Sequence, residues 1–463
     1  MAVGAKEVAF SGTCGEGVTW SYDAPTKTLV ISGTGAMEDY PAETQILDKR
    51  PWESFQQDTQ AVIVGPGVTA IGEFAFYWFE NLTSLTISDS VEKIGTSAFS
   101  ACKSLMSVNL PSSVKEIGSK AFSYCDNLNS VTLSDGLSEI RQGMFEGCGR
   151  LTSITIPKGV TIIHSRAFAC TALSTVAIPD TVTEIRDSAF CDCKSLTSVS
   201  LPASVVMLGN EAFSRCGLTS VTLSGEIKAI ADYTFSECYN LTTVSLPDSV
   251  TEIGNWAFAS CSKLSSITIP ENTSKIGEGA FYDCTSLTSL TIPDSITEIK
   301  DWTFADCSRL SSIIIPGNVS EIGQAVFSGC TNLTALTIPP SVLKIKPTVF
   351  SLNGLGEVPS MDLTIYGAVG SYAEAFAKEH KLRFVAKAFP TEKFPTGFVD
   401  VPAGQYYINA VQWAAEQGIT AGTDDIHFSP NASCTRAQAA TFLWRAAGEP
   451  EPQGAAAGFT DVK

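Results

Sequence analysis

A phenylalanine returns thirteen times between Phe76 and Phe350, and this beat constrains the fold more than any other property of the chain. Ten of the twelve intervals are 23 residues and two are 22. A fixed period of this size marks a solenoid, because one repeat cannot bury its own apolar face and neighbours must stack. Such a chain presents a long surface and few enclosed pockets. That points to binding or display rather than catalysis.

One clean unit runs from Leu241 to Lys263, LTTVSLPDSVTEIGNWAFASCSK. The spacing of Leu241, Val244 and Leu246 ends in a period of two, which predicts a short strand. Pro247 stops it, since proline has no ladder N–H to give. Val250 to Ile253 reads as a second short extended piece, and Gly254 as a turn position of positive φ. Ala257, Phe258 and Cys261 then form a tight turn or one turn of 3₁₀ helix that fills the core. In the two 22-residue intervals the missing residue falls in the same loop, Phe168 to Leu173 and Phe213 to Leu218, where a deletion disturbs packing least.

The chain has fourteen cysteines, and ten of them, from Cys102 to Cys330, sit three residues after a repeat phenylalanine. They form one column. Coils about 4.8 Å apart are within the Cα range of a disulfide but wide for its Cβ separation of about 3.8 Å. The column therefore reads as small buried hydrophobes with free thiols. A single column does not supply convergent metal ligands, and no metal or cofactor is expected. The formal charge of −18 offers no basic stripe for nucleic acid, and no apolar run spans a membrane. The opening MAVGAKEVAF shows no signal-peptide pattern, so the protein is cytoplasmic or its leader has been removed.

The unit IPDSVTEIGNWAFASCSKLSSI resembles the bacterial BspA-type leucine-rich repeat. The resemblance covers roughly 61–353 and implies a β-rich solenoid of about thirteen coils of 23 residues, surface-exposed and often found in adhesins. Residues 1–60, with two strands around a turn at Asp23–Thr26, are the expected N-terminal β cap. Residues 354–386 are the expected C-terminal cap, strand–helix–strand, with Ser371 and Glu374 forming a capping box. KAFPTEKFPTG, residues 387–397, is the linker candidate.

Residues 398–448 carry two helical patterns and the pieces FVDV, AVQWAAEQGITAG, FSPNASCTRAQ and FLWRAAG. In this order they resemble a small α-helical S-layer homology module. The resemblance implies tethering to anionic secondary cell-wall polysaccharide, with Arg436 facing a ligand carboxylate. Trp413 would stack on a sugar or pack between helices, Asp400 would orient the loop, and Gly418 would let ligand approach. GFTDV repeats the FVDV opening 61 residues on, so 449–463 reads as linker and the start of a truncated second module.

On the repeats, outward strand positions are mostly hydroxyl-bearing: Ser130 and Thr132, Ser153 and Thr155, Ser266 and Thr268, Ser289 and Thr291. This lane is the candidate face for a host or bacterial protein or a glycan, and it also suits plain β-propensity. Tyr77, Trp78, Phe79, Trp256 and Trp302 are expected in core or cap positions. The three histidines are far apart, and no HExxH, GxSxG or phosphate loop occurs, so no catalytic residue is assigned. The reading is a monomeric bacterial surface or cell-wall protein with a binding solenoid and a wall tether. Its alternative is a structural spacer or envelope protein with no specific ligand on the repeats.

Overall fold

The structure is a computed structural model that describes residues 10–40, 50–223, 225–351 and 362–389. It divides into two compact units. One holds the chain to Ile314 together with Ile322–Leu336 and Ile345–Leu363, and the other holds Ile315–Glu321, Thr337–Lys344 and the chain from Thr364.

In the first unit most coils add a strand of three or four residues to one parallel ladder and a short strand, two residues long in every coil after Val68–Ile71, to another. Val108 pairs with Val131 and Val221 with Val244 in the first, and Ile253 with Ile276 in the second. The first ladder is interrupted at 153–155, 266–268 and 289–291, where no strand forms. Between the second strand and the next coil lies a run of turns with the repeat phenylalanine at its centre. The rings stack along the unit, from Phe76 on Phe99 at 5.2 Å to Phe304 on Phe327 at 6.2 Å. Each column cysteine donates its thiol to the carbonyl of the phenylalanine one coil back, as in Cys261 to Phe235 (3.2 Å) and Cys307 to Phe281 (3.1 Å). The thiol is a second, weak donor to a buried carbonyl that also accepts a backbone N–H, as Phe235 O does from Cys238 N (3.3 Å) and Phe281 O from Cys284 N (3.3 Å). All thirteen described cysteines are free and only Cys170 is exposed.

The expected positive φ at Gly254 is not found. The left-handed positions instead flank the phenylalanine two residues either side, at Trp256 (φ 55) and Ser260 (φ 56) around Phe258. Gly254 is glycine because the coil before it is too close: an added Cβ would lie 2.8 Å from the Ala231 carbonyl carbon. At Gly277 the same atom would lie 2.5 Å from the Asn255 nitrogen and the Gly254 carbonyl carbon. Backbone cannot move aside as a side chain can. Gly277→Ala is therefore expected to lower unfolding stability by about 2–3 kcal/mol, read by urea denaturation, and a loss below about 0.5 kcal/mol would contradict this account. Beside these glycines, side chains cap the next coil's N–H groups in series. Asp187 Oδ1 accepts from Asn210 N, Asn210 Oδ1 from Asp232 N, Asp232 Oδ1 from Asn255 N, and Asn255 Oδ1 from Glu278 N.

The N-terminal end has three antiparallel strands rather than two, Phe10–Gly15, Val18–Asp23 and Thr28–Gly33. The first, FSGTCG, has too little apolar alternation to announce itself. Thr28–Gly33 then pairs in parallel with Ala61–Val64, so the hairpin leads into the first coil's ladder. The phenylalanine stack is closed by Trp52, fully buried and lying on Phe76 at 5.6 Å. Its indole N–H donates to Ala75 O, while Arg50 Nη1 donates to Tyr77 O and Gln56 Nε2 to Trp78 O. The Ala75 and Tyr77 carbonyls have no earlier coil to meet, and these donors cover them.

In the second unit the helix Tyr372–Glu379 lies between strands Thr364–Gly367 and Arg383–Ala386, which pair in parallel. Ala373, Phe376 and Ala377 form its buried face. The capping box does not form. Ser371 Oγ donates to Ala368 O (2.6 Å), and Glu374 Oε2 accepts from Gly370 N one residue before the cap.

Candidate functional site

The lane can be followed through eleven coils of the first unit, from Ser84 and Thr86 to Ser312 and Ile314. Of these 22 outward positions 19 are Ser or Thr and none is charged, in a chain where charged residues make up 17%. All 22 are exposed. Successive coils hold them in register, with Ser107 beside Ser130, Asn109 beside Thr132, and Ser220 beside Thr243. Ser130, Thr132, Ser153, Thr155, Ser266, Thr268, Ser289 and Thr291 all lie on this face, although three of the four pairs fall where the ladder is interrupted.

The hydroxyls divide into two populations that composition does not separate. A column just before the lane bonds inward: Thr197 Oγ1 donates to Ser174 O, Thr219 Oγ1 to Thr197 O, and Thr242 Oγ1 to Thr219 O. The lane hydroxyls have no such partner among the described residues. They are left to water or a ligand, each a donor and an acceptor. The face offers many weak polar contacts and, in this unit, no Trp, Tyr or Arg anchor.

The aromatic residues depart from expectation. Phe79 is fully buried, but Trp78 is 41% exposed, and Trp256 and Trp302 are half-buried on the surface. The left-handed backbone two residues from each phenylalanine turns these side chains away from the core. Trp256 leans over Gly279, where a Cβ would come within 2.7 Å of the indole, and reaches Trp302 at 5.7 Å. Tyr233 stacks on its other side and Tyr282 meets it edge-on.

The column thiols from Cys238 to Cys330 are chemically quiet. Burial pushes Cys261, Cys284 and Cys307 well above the usual range, and Cys238 and Cys330 up to about 12. No group of three or more His, Cys, Asp or Glu that would hold a metal occurs among the described residues, and none of their helices is long and apolar enough to cross a membrane. His164 sits in a charge cluster, with Glu139 Oε2 at 2.9 Å from Nε2 and Arg186 Nη1 at 3.2 Å from Nδ1. Asp400, Trp413, Gly418 and Arg436 lie outside the described residues.

The profile of the BspA type leucine rich repeat region matches six copies, over residues 69–197, 161–262 and 228–356. That of the S-layer homology domain matches 397–440. No curated protein matches the chain. Among solved structures, a leucine-rich repeat protein from Bacteroides ovatus shares 24% identity at a TM-score of 0.57, over 81% of this chain and 99% of that one. A leucine rich cell surface protein from Faecalibacterium prausnitzii shares 29% identity at a TM-score of 0.45, over 81% and 98%. The first likeness shows the fold. With the repeat profile spanning more than half of its length and an S-layer homology domain near its end, the chain belongs to the BspA type leucine-rich repeat family.

Proposed function

We propose that this is a bacterial cell-surface binding protein. The hydroxyl lane is its ligand face, and the S-layer homology module tethers it without covalent linkage to the secondary polysaccharide of the wall. The observation that carries the binding half is the lane itself: 19 hydroxyls on one face, exposed, uncharged and without a side-chain partner among the described residues. The tether half rests on the family match over 397–440, since such modules bind wall polymers. Within that module Arg436, with Asp400, Trp413 and Gly418 around it, is the assigned contact to polymer carboxylates.

Co-sedimentation with purified Gram-positive walls tests the tether, comparing residues 1–463 with 1–390 and with Arg436→Ala. Only the full chain is expected to pellet, and the arginine change should release most of it. The lane is tested with beads coated in residues 1–390 and offered to epithelial cells. Thr155→Lys with Thr268→Lys places charge on the lane without touching the core and is expected to cut attachment at least tenfold. Attachment unchanged by these substitutions would leave the repeats as a structural spacer.

A further inference from the structure

The second shortened coil makes a hollow off the lane. Four residues join Phe213 to Leu218 where five join Phe258 to Leu264, and Gly217 takes up the loss by pressing onto the coil before it. An added Cβ there would lie 2.3 Å from Lys194 O. The loop drawn back in this way leaves a cavity of about 300 Å³ lined by Lys194, Arg215, Gly217, Glu237, Tyr239 and Asn240. That is the lower end of the size range of small-ligand sites.

We propose that this hollow is a second ligand site, independent of the lane, and that it takes a neutral pyranose sugar. Its polar wall is already ordered. Arg215 donates from Nε to Glu237 Oε1 (3.1 Å) and from Nη1 to Asp192 Oδ2 (3.2 Å), which leaves the protons of Nη2 unspent. The second oxygen of Glu237 accepts from the Tyr239 hydroxyl at 2.8 Å, which fixes that ring at the rim with 51% of the residue exposed. Lys263 Nζ donates to Asn240 Oδ1, and the Asn240 amide protons have no partner among the described residues. Side chains held in place before binding save the ordering entropy a ligand must otherwise overcome.

The charges select the ligand class. Lys194 and Arg215 are each within ion-pair distance of Asp192, and Arg215 also of Glu237, so the two cations are matched by two anions. With two cations set against two anions, the cluster has no net charge that would favour an anion or a cation. A polyhydroxyl ring suits planar donors and acceptors beside an aromatic face, with its C–H face on Tyr239 and its hydroxyls on the guanidinium and amide. The residue set is not a by-product of the shortened loop. At the other short coil the positions of Arg215 and Tyr239 are held by Cys170 and Lys194, with no guanidinium and no ring.

Saturation-transfer NMR on residues 1–463 with the methyl pyranosides of glucose, galactose, mannose and N-acetylglucosamine tests the assignment. Transfer to the ring protons of at least one is expected. Tyr239→Ala should weaken binding at least tenfold, and Tyr239→Phe should retain most of it. A serine inserted between Cys216 and Gly217 restores the 23-residue coil, and filling the hollow should abolish the signal. Because Tyr239 is exposed, its replacement leaves the fold intact by circular dichroism even where the insertion does not. No transfer to any of the four sugars, transfer unchanged in Tyr239→Ala, or inorganic phosphate binding lost with the same variants would each overturn the proposal.

Discussion

Phe213→Ala is expected to lower unfolding stability by about 3–5 kcal/mol, the usual cost of emptying a buried aromatic site. Phe213 is fully buried between Phe190, 5.3 Å away and within 1° of parallel, and Phe235, 5.9 Å away at 7°. Removing it forfeits both ring contacts, each worth about 1 kcal/mol beyond area. It also opens a void beside the thiol of Cys238, which donates to Phe213 O. The effect should exceed a single-site loss in kind as well as size. In a linear array each coil is stabilised by its two neighbours, so a central gap uncouples the coils on either side. Urea unfolding followed by circular dichroism should show a lower midpoint and a split transition, whereas Phe213→Leu should cost less than half as much and stay cooperative. A loss under about 1 kcal/mol for the alanine variant would mean that the ring column is not what couples the coils.

The second large effect is alkaline. Cys238 and Cys330 are held near 12 in the folded protein, chiefly by burial, and an unfolded thiol ionises at about 8.5. Above that pH the unfolded chain releases a proton that the folded one keeps. The unfolded state then binds fewer protons, and stability falls as pH rises, from about 8.5 toward 12. At about 1.4 kcal/mol per pH unit and group, these two thiols remove about 5 kcal/mol by pH 10.5. Cys261, Cys284 and Cys307, raised for the same reason, act in the same direction. Thermal midpoints measured from pH 7 to 10.5 should therefore fall steeply above pH 9, and Cys238→Ala with Cys330→Ala should flatten the slope. At pH 8 a thiol reagent should label the native protein quickly at Cys170 and slowly at the other described cysteines. A midpoint flat to pH 10.5 would refute the account.

The lane shows how far pattern reading reaches. Alternation around Val131 or Leu290 identifies which side chains face out, because strand geometry puts neighbours on opposite faces. It does not tell Thr242, whose hydroxyl is consumed by Thr219 O, from Thr243 beside it on the lane. Both are threonines on an outer face, and the difference lies in a carbonyl 23 residues earlier. Trp256 departs from expectation for a related reason. Its position next to a core phenylalanine suggests burial, and only the left-handed backbone there turns it outward. Ser371 and Glu374 have capping-box spacing, yet the serine hydroxyl is drawn to Ala368 O by the turn that precedes the helix.

The sequence by itself determined the coil length, the phenylalanine and cysteine columns, the outward lane and the family. A pattern repeated thirteen times makes each column's chemistry visible despite local exceptions. Tertiary structure alone decided why Gly254 is glycine, that Trp52 and Arg50 close the stack, which hydroxyls remain free, and that one missing residue at Gly217 opens a hollow. Each of these is a contact between atoms more than 20 residues apart along the chain and about one coil apart in space. In a solenoid the period states which residues recur, and the stacking decides what each one touches.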